Sequence, residues 1–374
     1  LADPITIFLA GGGTGGHLYP GIAVAESIRR SEPDARLVFL CTQKELDRVI
    51  LEAAGAEFIP QPIVPPVRTI GGLLKFWKSW RETKDLVRQA IRDRSPAAVL
   101  GLGGYAAGVA VKTAALKGIP TAIVNPDVIP GKANLYLMRY TRHVCCQFEQ
   151  TREHVPAGER SKIDMTGCPI RADICNLPPR KEAAARLSLD PRLMTLVITG
   201  ASLGAQSINQ AVLEMLKDVK LQGWQLLHLT GREHEASVRE GYRELEIDAR
   251  VVAFTPAMAD VWAVADLAIC RSAASSCAEL AACGVPSILM PYPYHKDMHQ
   301  RANAAVLADA GAGVLIDDEK DAKKNAAKLK PIVTSLLYDA AKRKSMSDAA
   351  RKMARPDAAD AVARIVIGMT RGGR

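Results

Sequence analysis

Ile5-Thr6-Ile7-Phe8-Leu9-Ala10-Gly11-Gly12-Gly13-Thr14-Gly15-Gly16-His17 is the stretch that decides the fold. A short, mostly apolar run bounded by glycine reads as a buried strand. Pro20 then opens an amphipathic stretch to Arg30 that reads as a helix. Strand, glycine loop and helix together form the opening unit of a doubly wound α/β sheet. Glycines let the backbone turn tightly and approach a ligand closely. The free N–H groups of the helix that follows favour an anion. Pro20 suits the first turn of that helix.

The pattern continues outward. Strands are expected at 37–40, 98–102, 121–124 and 143–146, with helices at 44–54, 73–92 and 105–117 between them. A second series begins with a strand at 196–199 and continues with strands at 225–229, 251–254, 267–270, 287–290 and 314–316. Its helices fall at 205–217, 257–265, 275–283 and 299–310. Alternating strands and helices imply two parallel sheets covered on both faces. The boundary is expected in Gly167-Cys168-Pro169-Ile170-Arg171, giving domains of 1–169 and 170–354. A last amphipathic helix within 355–374 is expected to pack back on the first domain.

Two further loops repeat the opening theme. Gly101-Leu102-Gly103-Gly104-Tyr105 joins a strand to a helix, and Gly200-Ala201-Ser202-Leu203-Gly204 does the same in the second half. Ser202 suits either a phosphate contact or a helix cap. The first loop also satisfies G-x-G-x-x-G, the dinucleotide pattern. That pattern wants an acid at the end of the second strand for ribose hydroxyls. Here the strand ends Phe39-Leu40-Cys41-Thr42, which disfavours a dinucleotide. A Walker A loop is absent, because Gly131-Lys132 is followed by Ala133.

The 374 residues carry a formal charge of +9, which suits phosphate-bearing substrates or an anionic membrane surface. The basic residues are spread along the chain and form no nucleic-acid motif, so no nucleic-acid partner is expected. Eight cysteines without a C-x-x-C pair fit a reducing compartment. The apolar N-terminal stretch lacks a preceding basic region, and no signal peptide is expected. The most apolar stretch, 99–111, is too short for a membrane-spanning helix, which needs about 20 residues. A soluble or peripheral protein is expected.

His17, at the rim of the first loop, is placed to take a proton from a hydroxyl near neutral pH. His295 and His299 stand four residues apart, but the sequence offers them no evident third ligand, so no metal site is expected. Glu279 suits a ribose contact as well as a solvated helix position. Between 68 and 94, Leu73, Phe76, Trp77 and Trp80 lie among Lys75, Lys78, Arg81 and other basic residues. That mixture fits an anionic membrane surface and equally fits a helix with its tryptophans in the core.

Taken together, the segments 11–21, 101–105, 200–206 with Asn209, Cys270-Arg271-Ser272-Ala273, Glu279 and His295-Lys296-Asp297 through Gln300 and Asn303 resemble the MurG family of bacterial N-acetylglucosaminyltransferases, in order and spacing along nearly the whole chain. The resemblance implies a GT-B fold, two Rossmann-like domains facing a deep cleft. It implies UDP-N-acetylglucosamine as donor and a lipid-linked muramyl pentapeptide as acceptor, joined by inverting transfer at the cytoplasmic face of the plasma membrane. No cofactor is required on this pattern, and a divalent cation is at most stimulatory.

By the same resemblance, Glu279 takes the ribose hydroxyls and Ser202 with Gly204 the donor diphosphate. Phe254, Thr255 and Met258 flank the uracil, and His299 and Gln300 touch the transferred sugar. Thr14, Gly15, Gly16, Asp127 and Arg171 complete the donor side. Gly13, Gly103, Gly104 and Tyr105 hold the acceptor, whose diphosphate rests on 13–16. His17 is the base or orients the acceptor, and Leu73, Phe76, Trp77 and Trp80 face the membrane. The chain departs from the family at Asn125-Pro126-Asp127-Val128-Ile129-Pro130, where many members carry His-Glu-Gln-Asn. Leu203 likewise stands where a glutamine is usual.

Overall fold

The computed structural model describes residues 4–67, 69–201 and 204–371. The chain divides into two compact units, Leu1–Arg171 with Pro356–Arg374, and Ala172–Arg355.

In the first unit seven parallel strands form one sheet: β1 (Thr6–Gly11), β2 (Arg36–Thr42), β3 (Glu57–Gln61), β4 (Ala98–Gly103), β5 (Thr121–Asn125), β6 (His143–Cys146) and β7 (Ile163–Met165). Their order is β3-β2-β1-β4-β5-β6-β7. The helices between them are α1 (Gly15–Ser31), α2 (Glu45–Ala53), α3 (Ile70–Arg94), α4 (Gly104–Ala115) and α5 (Lys132–Leu137). Alternate residues of β1 serve opposite faces, as strand geometry demands. Ile7 and Leu9 pack with Leu18, Ile22 and Leu51, whereas Phe8 and Ala10 pack with Val87, Ala107 and Leu137. The order reverses between β1 and β4, so their carboxyl ends open a crevice at the switch point.

The second unit repeats the plan with six parallel strands: β8 (Met194–Thr199), β9 (Trp224–Leu229), β10 (Arg250–Val252), β11 (Leu267–Cys270), β12 (Ser287–Leu289) and β13 (Gly313–Leu315). Their order is β10-β9-β8-β11-β12-β13, with the switch point between β8 and β11. Its helices are α6 (Ala172–Cys175), α7 (Arg180–Leu187), α8 (Gln206–Leu216), α9 (Glu235–Glu244), α10 (Met258–Val264), α11 (Ala274–Cys283), α12 (His299–Asp309), α13 (Ala322–Tyr338) and α14 (Ala340–Met353).

The last helix, α15 (Ala358–Arg371), belongs to the first unit and lies on α1. Val362, Val366 and Ile367 enter the β1 core, each such side chain contributing about 1.5–3 kcal/mol. Asp360 locks the contact by accepting from Ser27 Oγ at 2.5 Å and from Arg30 at 2.6 Å.

Two local expectations are corrected. Helix α1 begins at Gly15, so Pro20 lies inside it rather than in its first turn. Proline has no N–H, so the carbonyl of Gly16 lacks its usual helical partner. Strand β10 ends at Val252, which leaves Phe254 in the loop that leads to α10.

Candidate active site

At the switch point of the first unit, Gly11 of β1 pairs with Gly103 of β4. His17, in the first turn of α1, lies against this junction. Its Nδ1 is 3.0 Å from the carbonyl oxygen of Gly12 and 3.2 Å from Oγ1 of Thr14. A carbonyl only accepts, so Nδ1 carries the proton and donates to Gly12, and Nε2 keeps its lone pair. A Cβ at Gly103 would stand 3.1 Å from Cδ2 of the ring, and one at Gly104 would stand 3.0 Å from Cε1. Both residues have left-handed backbones, with φ of +100° and +73°. Only glycine meets both requirements without displacing the ring. Burial pushes the pKa of His17 below its ordinary value, against the bond to Gly12 and the charges of Asp127 and Asp47. The imidazole is therefore neutral at pH 7.

The loop that holds His17 is fixed from behind by Asp47, a residue the sequence did not single out. Asp47 looks like an ordinary acid in the first turn of a helix. In the fold it is fully buried, and both of its oxygens lie 2.8 Å from the amide nitrogen of Gly13. Its Oδ2 also accepts from the backbone N–H and hydroxyl of Thr42 at 2.9 and 2.7 Å. Lys44 Nζ donates to the carbonyl of Gly13 at 3.1 Å. The N–H and the carbonyl of Gly13, which belong to successive peptide groups, are thus both held by side chains, one from the first turn of α2 and one from the residue that caps it.

The other candidates of this unit gather around the same loop. The hydroxyl of Tyr105 lies 3.6 Å from the position a Cβ on Gly13 would take. Gly15 is backed by the ring of Tyr19, and the guanidinium of Arg171 stands 5.4 Å from that ring. The divergent segment after β5 is internally bonded: Asn125 Nδ2 donates to the carbonyl of Asp127 at 2.9 Å and accepts through Oδ1 from Asn134 at 3.0 Å.

In the second unit Ser202 and Leu203 lie outside the described residues. Gly204 has φ of +76°, and a Cβ there would lie 2.0 Å from the carbonyl oxygen of Thr230. The missing side chain thus makes room for the backbone after β9. Glu279 is half-buried in α11, and its Oε2 accepts from Trp262 Nε1 of α10 at 2.8 Å. It is an oriented carboxylate rather than a solvated one. Met258 begins α10, and Thr255 Oγ1 accepts from Ala257 N at 3.1 Å, so the segment from Thr255 leads directly into the helix that carries Trp262. Exposed Phe254 lies under the guanidinium of Arg232. Gln300 Oε1 accepts from Tyr292 N at 2.9 Å, and its carbonyl accepts from Ser272 Oγ at 2.8 Å. Arg271 is buried and spends itself internally, on Asp318 at 2.8 Å, Ser207 at 2.7 Å and the carbonyls of Met290 and Pro291.

His295 and His299 do have a carboxylate beside them. Asp297 Oδ1 lies 2.7 Å from Nδ1 of His299, and possible ligand atoms of all three residues lie within 4.8 Å of one another.

The aromatic helix α3 serves two environments. Ile70, Leu73, Leu74 and Trp77 are exposed, Trp77 to 58% and Ile70 to 83%. Phe76 and Trp80 instead pack on the core beside α4, where Trp80 lies over Gly108. The expected four-residue face therefore reduces to Leu73 and Trp77, joined by Ile70 and Leu74. No helix among the described residues is long and apolar enough to cross a membrane.

Two Rossmann-like units of this strand order, each with a glycine turn at its switch point, define the GT-B fold, and the family matches make the chain a glycosyltransferase. Residues 7–146 match the glycosyltransferase family 28 N-terminal domain and residues 195–362 its C-terminal domain. A UDP-N-acetylglucosamine--N-acetylmuramyl-(pentapeptide) pyrophosphoryl-undecaprenol N-acetylglucosamine transferase of Desulfitobacterium hafniense is 34% identical, covering 96% of this chain and 98% of its own. The enzyme of that name from Thermodesulfovibrio yellowstonii is 38% identical over 84% of this chain and 86% of its own. The crystal structure of Acinetobacter baumannii MurG superposes with a TM-score of 0.76 at 25% identity, over 98% of this chain and 100% of that one. The chain belongs to glycosyltransferase family 28 and, within it, to the MurG family.

Proposed function

We propose that this protein transfers N-acetylglucosamine, with inversion, from UDP-N-acetylglucosamine to the 4-hydroxyl of an undecaprenyl-diphosphate-linked N-acetylmuramyl pentapeptide. Identity of 34% to transferases of that name over almost the whole chain carries the reading. The chemistry at His17 supports it. The acceptor oxygen attacks the anomeric carbon, its proton passes to Nε2 of His17, and the bond from that carbon to the diphosphate oxygen breaks. UDP leaves. The neutral, tautomerically fixed imidazole is the form a general base needs. The acceptor diphosphate rests on the 13–16 turn, with Tyr105, Gly103 and Gly104 beside it.

The donor belongs to the second unit. Glu279, held by Trp262, takes the ribose hydroxyls, the stretch from Phe254 to Met258 flanks the base, and His299 and Gln300 reach the sugar. The N-terminal amides of α8, with Ser202 and Gly204, receive the diphosphate charge that develops on leaving. No metal is required for this step. The exposed apolar residues of α3, flanked by Lys75, Lys78 and Arg81, rest on the anionic cytoplasmic face of the plasma membrane, where the acceptor resides.

The test is UDP release from UDP-N-acetylglucosamine, with and without a short-chain analogue of the lipid-linked acceptor. Release that depends on the acceptor is expected. Donor binding without acceptor-dependent release would point instead to a glycosyltransferase with another acceptor, a reading favoured only by the Asn125–Pro130 segment.

A further inference from the structure

One cluster, which shares His299 with the proposed sugar contact, has the makings of a metal site. His299 is the first residue of α12, and His295 lies one turn of chain before it. Between them Met298 adopts a left-handed backbone, with φ of +53°, and its N–H bonds back to the carbonyl of His295 at 3.3 Å. This reversal brings the two imidazoles side by side, with ring centroids 4.5 Å apart and planes 28° from parallel. Asp297 lies between them in sequence and contacts His299 at 2.7 Å. Among the described residues this is the one group of three whose possible ligand atoms lie within 4.8 Å of one another.

We propose that His295, Asp297 and His299 bind a divalent transition-metal ion of the zinc or cobalt kind. Two imidazoles and a carboxylate are the donor set that such ions favour, whereas magnesium and calcium prefer all-oxygen sites. Imidazole nitrogens and carboxylate oxygens sit about 2.0–2.2 Å from zinc, so ligands around one ion stand about 3–3.5 Å from each other. Closing from 4.8 Å to that spacing takes small rotations of side chains at the surface, with no change of fold. Three protein ligands leave a position open to water or to an anionic group. The site goes beyond the transfer reaction, and because His299 is also the proposed sugar contact its test reads metal binding itself rather than turnover.

The test uses the full chain without a histidine tag, freed of metal by chelation. Calorimetric titration with Zn2+ and absorption with Co2+ are expected to show one saturable site per chain, with Zn2+ displacing Co2+. His295→Gln, Asp297→Asn and His299→Gln should each weaken binding by more than the roughly 10–100-fold that loss of an outer-shell partner costs, while leaving the metal-free circular dichroism and Tm unchanged. Full-strength binding retained in the His295→Gln/His299→Gln double variant would place the metal elsewhere and overturn the proposal. So would the absence of one-equivalent binding, or equal competition by Mg2+.

Discussion

Asp47 sets both of its carboxylate oxygens 2.8 Å from the amide nitrogen of Gly13, across 34 residues of chain. The glycine turn that carries His17 is therefore not a free loop but the ligand of a buried anion. Hydrogen bonds to a charged group contribute about 1.5–3 kcal/mol each, and stripping the acceptor leaves buried donors unsatisfied. Asp47→Ala should lower unfolding stability by about 3 kcal/mol, read as a shift in urea midpoint. Asp47→Asn keeps the size and one acceptor oxygen, so it should fold and lose turnover more than donor affinity. An Asp47→Asn enzyme with unchanged kcat would show that the turn holds its shape without the charge.

His17→Ala should reduce kcat by about 10²–10⁴-fold, the usual contribution of a positioned base, with donor dissociation constant unchanged. Burial lowers the pKa of His17, so the neutral base persists as pH falls below 6.5. The acid limb of the kcat/KM profile should therefore lie below that value. A limb at or above 6.5 would mean that another group is being titrated.

Much of this was legible in advance, and the omissions have physical causes. Strands β1 and β4 are largely apolar runs that end in glycine and β8 runs directly into Gly200, a pattern that survives without tertiary information. The edge strand β3 escaped because Glu57-Phe58-Ile59-Pro60-Gln61 mixes charge and proline, which is tolerated only where one side of the strand is unpaired. The three-residue β7 is too short to show any period. The glycine loops and His17 announced themselves by composition. Asp47 and Trp262 did not, because their importance lies in partners 34 and 17 residues away.

Trp262 offers a test of the donor side. Its Nε1–H bond orients Glu279 at 2.8 Å. Trp262→Phe removes the donor but keeps most of the ring, and should weaken UDP-N-acetylglucosamine binding by about 5-fold, the worth of one hydrogen bond near 1 kcal/mol. Glu279→Ala should weaken it further, and the double variant should add little to Glu279→Ala alone. Full additivity in that cycle would separate the two residues.

The buried His228 makes the second unit sensitive to acid. Asn209 Nδ2 donates to the carbonyl of Thr230, so its Oδ1 accepts from His228 Nε2 at 3.0 Å, and Nδ1 accepts from the Tyr242 hydroxyl at 2.8 Å. No position is left for a second proton, and burial pushes the pKa from 6.5 down to about 3. The unfolded chain then binds more protons than the folded one between those values, so stability falls as pH drops through 6.5 and continues to fall toward 3. The loss is roughly 1.4 kcal/mol per pH unit within that window. Urea unfolding at pH 7 and pH 5 should show a steeper loss for the wild type than for His228→Phe. Parallel slopes would contradict the assignment.

The two tryptophans of α3 separate membrane contact from packing. Trp77 is exposed among Lys75, Lys78 and Arg81, whereas Trp80 lies on Gly108 at the edge of the core. Trp77→Glu removes apolar surface and adds a charge of the wrong sign for an anionic bilayer. It should reduce cosedimentation with phosphatidylglycerol vesicles several-fold and leave Tm within a degree or two, as exposed substitutions do. Trp80→Ala should do the reverse, costing about 2–3 kcal/mol, somewhat below a fully buried tryptophan, with vesicle binding kept in the fraction that remains folded. If Trp77→Glu binds vesicles as well as the wild type, the exposed apolar face of α3 is not what meets the membrane, and the basic charge spread over the chain becomes the better candidate.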